Sequence, residues 1–413
     1  VYTSSVSDDT YVMKDYAADD EETALGEFSV FCGKIDQLEA ALSAPEPDWA
    51  TVESLLDIDS VVKLYLVQDV TGNEDGFRTS TFFYWDGQAD SKICAGPAWD
   101  FDICLGDPVA SCDYNYLELA NHKYLLAHLF RCPEFIQAVR DAYSQYHDKI
   151  VAVGNEVPSL TAEIASSAAM NAVLYGGHGK ASYANVISRW FQDRIGYLDE
   201  VYSTGMARED GDYRLVTSLE SGAIAVPASD AVGARLILEP QDGSTGQLFR
   251  FTQSAELPGT YVITNEETGL ALEVVNGDVV LEEPDDTTAQ LWMVLDNGDD
   301  SVSYMSVVSG LFMQADTFTG RYGSVITMLQ RTGSTSQKFW TDIKAEAFVR
   351  FLYQSILGRT PSDEETEAWA DTLRNGENTG VDIAFDIFFS QEYQSQEYTA
   401  EEYITMLYQT LLG

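Results

Sequence analysis

The sequence predicts a multidomain protein that changes fold class twice. An α+β segment, mostly helical with one small hairpin, covers residues 1–205, an all-β segment covers 210–343, and a small all-α module covers 346–413. Three observations carry that reading. Apolar residues recur at helical spacing in the first segment, short alternating strands with Gly, Asn and Asp turns replace them after Gly205, and helical periodicity returns near the end. With 45% hydrophobic residues in 413, the chain is long enough for several packed cores.

Net charge is −44 at pH 7, and no basic residue lies between Arg250 and Arg321. Nucleic acid is therefore an unsuitable partner, because phosphate contacts need clustered Lys and Arg. Such a surface attracts divalent cations or basic partners, or simply keeps a protein soluble. No apolar run reaches the roughly 18 residues that cross a bilayer. The chain starts at Val1 without a signal-like segment, so it is expected to begin after a processing cut or partway through a gene. Its five cysteines, Cys32, Cys94, Cys104, Cys112 and Cys132, contain no Cys-x-x-Cys unit, which argues against a zinc site. Outside the cell Cys104 and Cys112 form one possible pair, and an odd number leaves a thiol over.

In the first segment Phe28, Phe31, Ile35, Leu38 and Leu42 mark one buried helical stripe. A second helix is expected from Asp59 or Ser60, both good N-caps, to the breaker Gly72. The loop Asn73 to Phe77 follows, then two strands, Ser80–Trp85 and Lys92–Ala95. The stretch Gly96-Pro97-Ala98-Trp99-Asp100-Phe101-Asp102 reads as extended, which puts Asp100 and Asp102 on one face. Two carboxylates so placed suit Mg²⁺, which keeps waters and substrate phosphates. Alone, Asp75 in Asp-Gly reads as a turn former. His122 and His128, six apart, fall on different helix faces, and Gly176 to Lys180 is no phosphate loop because Leu174 replaces the first glycine.

Taken together, Leu66 to Gly87 followed by Gly96 to Gly106 resembles the core of the CotH family of spore-coat and secreted protein kinases. That family carries an Asn-x-Asp-Gly-Phe-like loop and a Trp-Asp-x-Asp motif at this separation. Ala127 to Phe130, Pro133 to Phe135, Met170-Asn171 and Trp190 to Leu198 resemble its later helices, so the likeness covers residues 1–205. The resemblance implies phosphoryl transfer from ATP to Ser or Thr of a protein, with Mg²⁺ or Mn²⁺ as cofactor. Asp75 matches the catalytic aspartate, Asp100 the metal-binding aspartate, and Asp102 a weaker second ligand; Ser80 stands where many relatives have Asn. The family's N-terminal nucleotide lobe lies upstream of the matched region, so this chain by itself is expected to be inactive. A bacterial extracellular or cell-surface location is implied.

In the second segment Gln247-Leu248-Phe249, Gln290-Leu291-Trp292 and Gln337-Lys338-Phe339 recur, 43 and then 47 residues apart. Each unit also has Ser/Thr-Gly, at Ser221-Gly222, Thr268-Gly269 and Ser309-Gly310, and an early Tyr, at Tyr213, Tyr261 and Tyr304. Three units imply threefold symmetry. The triplets resemble the signature of ricin-type β-trefoil lectins, whose sugar-binding Asp would fall at Val226, Glu273 and Gln314. The second unit alone keeps a carboxylate, so Glu273 and Asn276 are the candidate glycan contacts, and a non-catalytic glycan-binding scaffold is the alternative function.

In the final segment Phe348 to Arg359 is echoed by Tyr403 to Gly413. Trp369, Leu373, Phe385, Phe388 and Phe389 are expected to supply its core, and Gly358 and Gly376 its helix stops. It resembles an uncharacterised helical module of secreted bacterial proteins, and the second copy is expected to be cut short.

Overall fold

The computed structural model describes residues 1–15, 20–73, 75–77, 81–88, 90–106, 114–115, 117, 124–175, 184–203, 205–219, 222–285, 287–299, 301–315, 320–341, 345–374 and 378–395. Ser80, Cys112, His122, the Gly176 to Lys180 loop, Ser221, Gly376 and the echo from Tyr403 lie outside them.

The first unit opens with two short antiparallel strands, β1 (Tyr2–Thr3) and β2 (Thr10–Tyr11). Helix α1 (Glu21–Ser43) is capped by Asp20 and buries Ile35, Leu38 and Leu42 as its stripe predicts. Helix α2 (Trp49–Leu55) leads into α3 (Ile58–Thr71), whose N-cap is Asp57 rather than Asp59 or Ser60. Asp57 wins because its carboxylate reaches the Ser60 N–H at 2.8 Å. The hairpin is present but shorter than expected, β3 (Phe83–Tyr84) pairing with β4 (Cys94–Ala95). Helices α4 (Tyr124–Leu129), α5 (Pro133–Glu163), α6 (Ala165–Tyr175) and α7 (Ala184–Val201) complete the unit. Phe135, Ile136, Val139 and Tyr143 on α5 face a core that also holds Tyr65 and Leu198.

One expectation fails here. Strand β4 ends at Ala95, and the Trp-Asp-Phe-Asp stretch is not extended, because Asp100 has a left-handed backbone, φ 66°. A left-handed residue breaks the two-residue alternation, so the shared-face argument for Asp100 and Asp102 does not hold.

Among the described residues the second unit is a single sheet of thirteen antiparallel strands. In order these are β5 (Gly211–Tyr213), β6 (Val216–Thr217), β7 (Ile224–Pro227), β8 (Leu236–Glu239), β9 (Phe249–Gln253), β10 (Thr260–Asn265), β11 (Ala271–Val275), β12 (Asp278–Glu282), β13 (Leu291–Asp296), β14 (Val302–Ser306), β15 (Phe312–Ala315), β16 (Ile326–Leu329) and β17 (Phe339–Trp340). The hairpins β7–β8, β11–β12 and β15–β16 meet one another through bridges Arg235 to Val280 and Ile237 to Val325 and the β12–β16 pair. The remaining strands form a barrel beneath them, β13 joining β10 to β14. Phe249, Trp292 and Phe339 are wholly buried in its core.

The last unit packs α8 (Ala345–Leu352), continued by a π-helical turn to Leu357, against α9 (Asp363–Arg374), α10 (Gly380–Phe388) and α11 (Gln391–Gln394). Gly358 stops the first helix in a left-handed cap, as expected. Leu373 lies in its core as expected and Trp369 and Phe388 pack against it, but the rest differs from the expectation. Val349, Leu352, Ile356, Ala370, Leu373, Ile383 and Ile387 fill it, whereas Phe385 and Phe389 are exposed.

Candidate functional site

The candidate site is built on the carboxyl end of α3. Gly72 adopts a left-handed cap, its N–H bonding to Asp69 O at 3.0 Å while the Asn73 N–H reaches Gln68 O at 3.0 Å. This paired closure of the last turn is the Schellman arrangement, and it folds Asn73 back over the helix end. The Asn73 side chain is fully buried and makes three hydrogen bonds. Its Nδ2 donates to Gln68 Oε1 at 2.7 Å and to Asp100 O at 2.8 Å, and its Oδ1 accepts the Asp75 N–H at 3.3 Å. Gly76 then closes a turn on Asn73 O, where an added Cβ would lie 2.9 Å from Gln68 Cδ. No larger residue fits there without displacing Gln68.

The Asp100 loop is tied down along its length. The Gly96 N–H bonds to Phe82 O and the Leu105 N–H to Thr71 O, each at 2.8 Å, and Trp99 sits edge-on to Phe82. Gly106 lies flat on Trp190 of α7, since a Cβ there would come within 2.6 Å of that ring. Phe77, Asp100 and Leu105 all have positive φ, at 58°, 66° and 57°. Left-handed backbone is uncommon outside glycine, and three such residues, two of them the bulky Phe77 and Leu105, lie on this loop pair.

Below the loops lies a polar core. Arg194 of α7 donates to Asp69 O from Nε and Nη2, at 3.1 and 2.9 Å, and to Asp69 Oδ1 at 2.8 Å. The Tyr202 hydroxyl donates to Asp69 Oδ2 at 2.8 Å and stands 3.0 Å from the Tyr65 hydroxyl. Burial pushes the Asp69 carboxyl up, against the pull of Arg194 and Tyr202. The guanidinium thereby joins the Gly72 N–H on the Asp69 carbonyl at the α3 terminus while also holding the Asp69 carboxylate.

Asp75 is half-buried, while Asp100 and Asp102 are exposed. Asn73 joins the Asp75 loop to the Asp100 loop, and Asp102 follows in the next turn. Among the described residues no group of three His, Cys, Asp or Glu converges as a metal cage. An ion held by one or two carboxylates plus waters and phosphates, as Mg²⁺ is, fits this donor set better than a closed protein site. Asn73, Gln68, Asp69 and Arg194 have site-building roles that sequence reasoning missed. The available signal was a run of polar residues, Gln68 and Asp69, on an otherwise apolar helix face.

In the β unit Glu273 is half-buried on β11, and burial raises its carboxyl although Gln290 Nε2 donates to it at 3.1 Å. Asn276 occupies the first position of an Asn-Gly hairpin turn, φ 53° followed by 85° at Gly277, which explains its residue type by backbone alone. The three repeated glutamines have a structural role. Gln247, Gln290 and Gln337 each donate from Nε2 to the carbonyl seven residues upstream, at 2.7, 2.9 and 2.7 Å. Each also accepts the N–H five residues upstream, at 3.0, 3.1 and 2.7 Å.

Residues 3–202 match the family model described as CotH kinase protein. Over that stretch the protein is CotH-like. Residues 332–397 match a second family, described as domain of unknown function DUF4214, a range that takes in β17 and the helices after it. No curated protein matches the chain. Among solved structures it is similar to ThreeFoil, a designed 3-fold symmetric protein, at 24% identity over 32% of this chain and all of that one, TM-score 0.30. It is similar also to the exo-beta-1,3-galactanase 1,3Gal43A from Clostridium thermocellum, at 21% identity, 33% and 31% coverage, TM-score 0.30. A third is the BEL beta-trefoil, at 15% identity, 33% and 96% coverage, TM-score 0.29. The threefold reading of the β unit rests on its own repeated glutamines and hairpins, which the CotH-like stretch precedes.

Proposed function

We propose that the CotH-like unit contributes the acceptor side of a phosphoryl-transfer site, acting on Ser or Thr hydroxyls of a protein with ATP as donor. Asp75 orients the acceptor hydroxyl and takes its proton, and Asp100 holds Mg²⁺ or Mn²⁺, with Asp102 as a weaker second ligand. When bound, the ion would neutralise charge on the transferring phosphate. The observation that carries this reading is the Asn73 side chain, which fastens the Asp75 and Asp100 loops to one helix end. The acidic surface favours a basic acceptor, and a secreted or cell-surface bacterial setting accords with the family match. The test is radiolabel transfer from ATP to a basic acceptor protein by the full-length protein with Mn²⁺. Asp75→Ala and Asp100→Ala are each expected to lower it about 100-fold or more, and undiminished transfer in both variants refutes the assignment.

A second reading is favoured by one further observation. An open cleft of about 360 Å³ lies between the first and second β repeats, lined by Val226, Asp230, Glu239, Asp242 and Gln247 of the first and Glu267 of the second. Its volume suits a small polar ligand, and with Glu273 and Asn276 in the second repeat it supports a glycan-binding β-trefoil on a non-catalytic scaffold.

A further inference from the structure

We infer that Asn73 is a positioning residue that sets the Asp75 and Asp100 carboxylates relative to each other; the inference rests on the metal-binding reading of Asp100. Asn73 is 0% exposed, so it does not itself meet a ligand. Its side chain nevertheless links three segments: the end of α3 through Gln68, the Asp75 backbone N–H, and the Asp100 carbonyl. Two donors and the carbonyl acceptor of a short planar amide are engaged at once, a set that Asp, Ser or Ala cannot reproduce. The Asp100 carbonyl is available to it because the left-handed turn at φ 66° presents the backbone there, while the Asp100 side chain stays exposed. Gln68 is the second member of the latch. Its Oε1 fixes the amide, and Gly76 is packed close enough against it to leave no slack. Partners that orient a ligating carboxylate typically change metal affinity 10- to 100-fold when removed.

Trp99, 58% exposed and adjacent to Asp100, supplies a local reporter. Terbium(III) bound at Asp100 would emit on excitation of that indole, and the emission lost in Trp99→Phe isolates this site from other carboxylates on an acidic surface. The Trp99-dependent emission is expected to saturate in the wild type and to vanish in Asp100→Asn. In Asn73→Ala half-saturation should move up about tenfold, with a smaller shift in the same direction for Gln68→Met. Wild-type titrations for Asn73→Ala and Gln68→Met, beside a lost signal for Asp100→Asn, overturn the positioning role and leave the metal reading intact. Unchanged emission in Asp100→Asn overturns the metal reading itself. A purely structural Asn73 would lower the melting temperature without moving the titration. Should Asn73→Ala fail to fold, Gln68→Met decides the matter.

Discussion

Asp69 and Arg194 show how much of the CotH-like unit depends on single side chains. Both are almost fully buried, 1% and 2% exposed, and the guanidinium satisfies a helix-end carbonyl and a carboxylate together. Desolvating two charges is repaid only when the geometry is this complete, and removing one partner leaves the other buried and uncompensated. Arg194→Met should therefore cost about 3–5 kcal/mol, measured by urea unfolding. A loss below about 1 kcal/mol, the worth of an exposed pair, would contradict the burial argument. Arg194→Lys is expected to recover little, since an ammonium cannot span both acceptors.

At the scale of elements, charge and hydrogen bonding fix what apolar patterning leaves open. Arg359, after the π turn, donates from Nη2 to Glu365 of α9 at 2.8 Å and to Glu392 of α11 at 2.7 Å. That hydrogen bond holds the Glu365 carboxyl down, from 4.5 to about 2. A depressed folded-state value means stability that is present above pH 4.5 and lost as pH falls toward 2. Arg359→Gln should lower the melting temperature of the helical module at pH 7, and the gap from wild type should close by about pH 2; a gap that persists there sinks the assignment. The repeated aromatics Phe249, Trp292 and Phe339 were legible in the sequence because interval and apolar type both repeat, and burial follows directly. The glutamine beside each was legible as a marker but not as a staple. Its acceptors are backbone carbonyls of Pro240, Glu283 and Gln330, three residue types that share no pattern. Helix α1 was likewise readable from its stripe, whereas the turn at Asp100 was not, because alternating apolar and acidic residues describe a strand as well as a loop. Phe385 and Phe389 misled for a related reason, as aromatic type alone does not fix which helix face is inward.

Across the whole molecule the helical and β units share one core. Leu257, Leu291, Met293, Leu295, Met305, Val307 and Phe312 belong to the same buried cluster as Tyr65, Phe135 and Leu198. Polar contacts seal the junction: Arg140 Nη1 to Pro258 O at 3.1 Å, Thr288 Oγ1 to Phe130 O at 3.0 Å and Tyr197 Oη to Gly310 O at 3.0 Å. Burial lowers Arg140 to about 10, still charged at neutral pH. This docking breaks the threefold symmetry in a way that a matched pair of glycines can measure. Gly269 and Gly310 occupy equivalent left-handed turns, φ 71° and 64°, each bonding to the carbonyl four residues before it. Space around Gly269 is open, but a Cβ on Gly310 would lie 2.7 Å from Leu117 Cγ. Gly269→Ala should cost only the left-handed strain, about 1–2 kcal/mol. Gly310→Ala adds overpacking of about 1–3 kcal/mol at the junction, so calorimetry should show a larger loss and a β transition that begins to separate from the helical one. Equal losses for the two variants would mean that Leu117 yields freely and that the third repeat does not serve as the socket for the CotH-like unit.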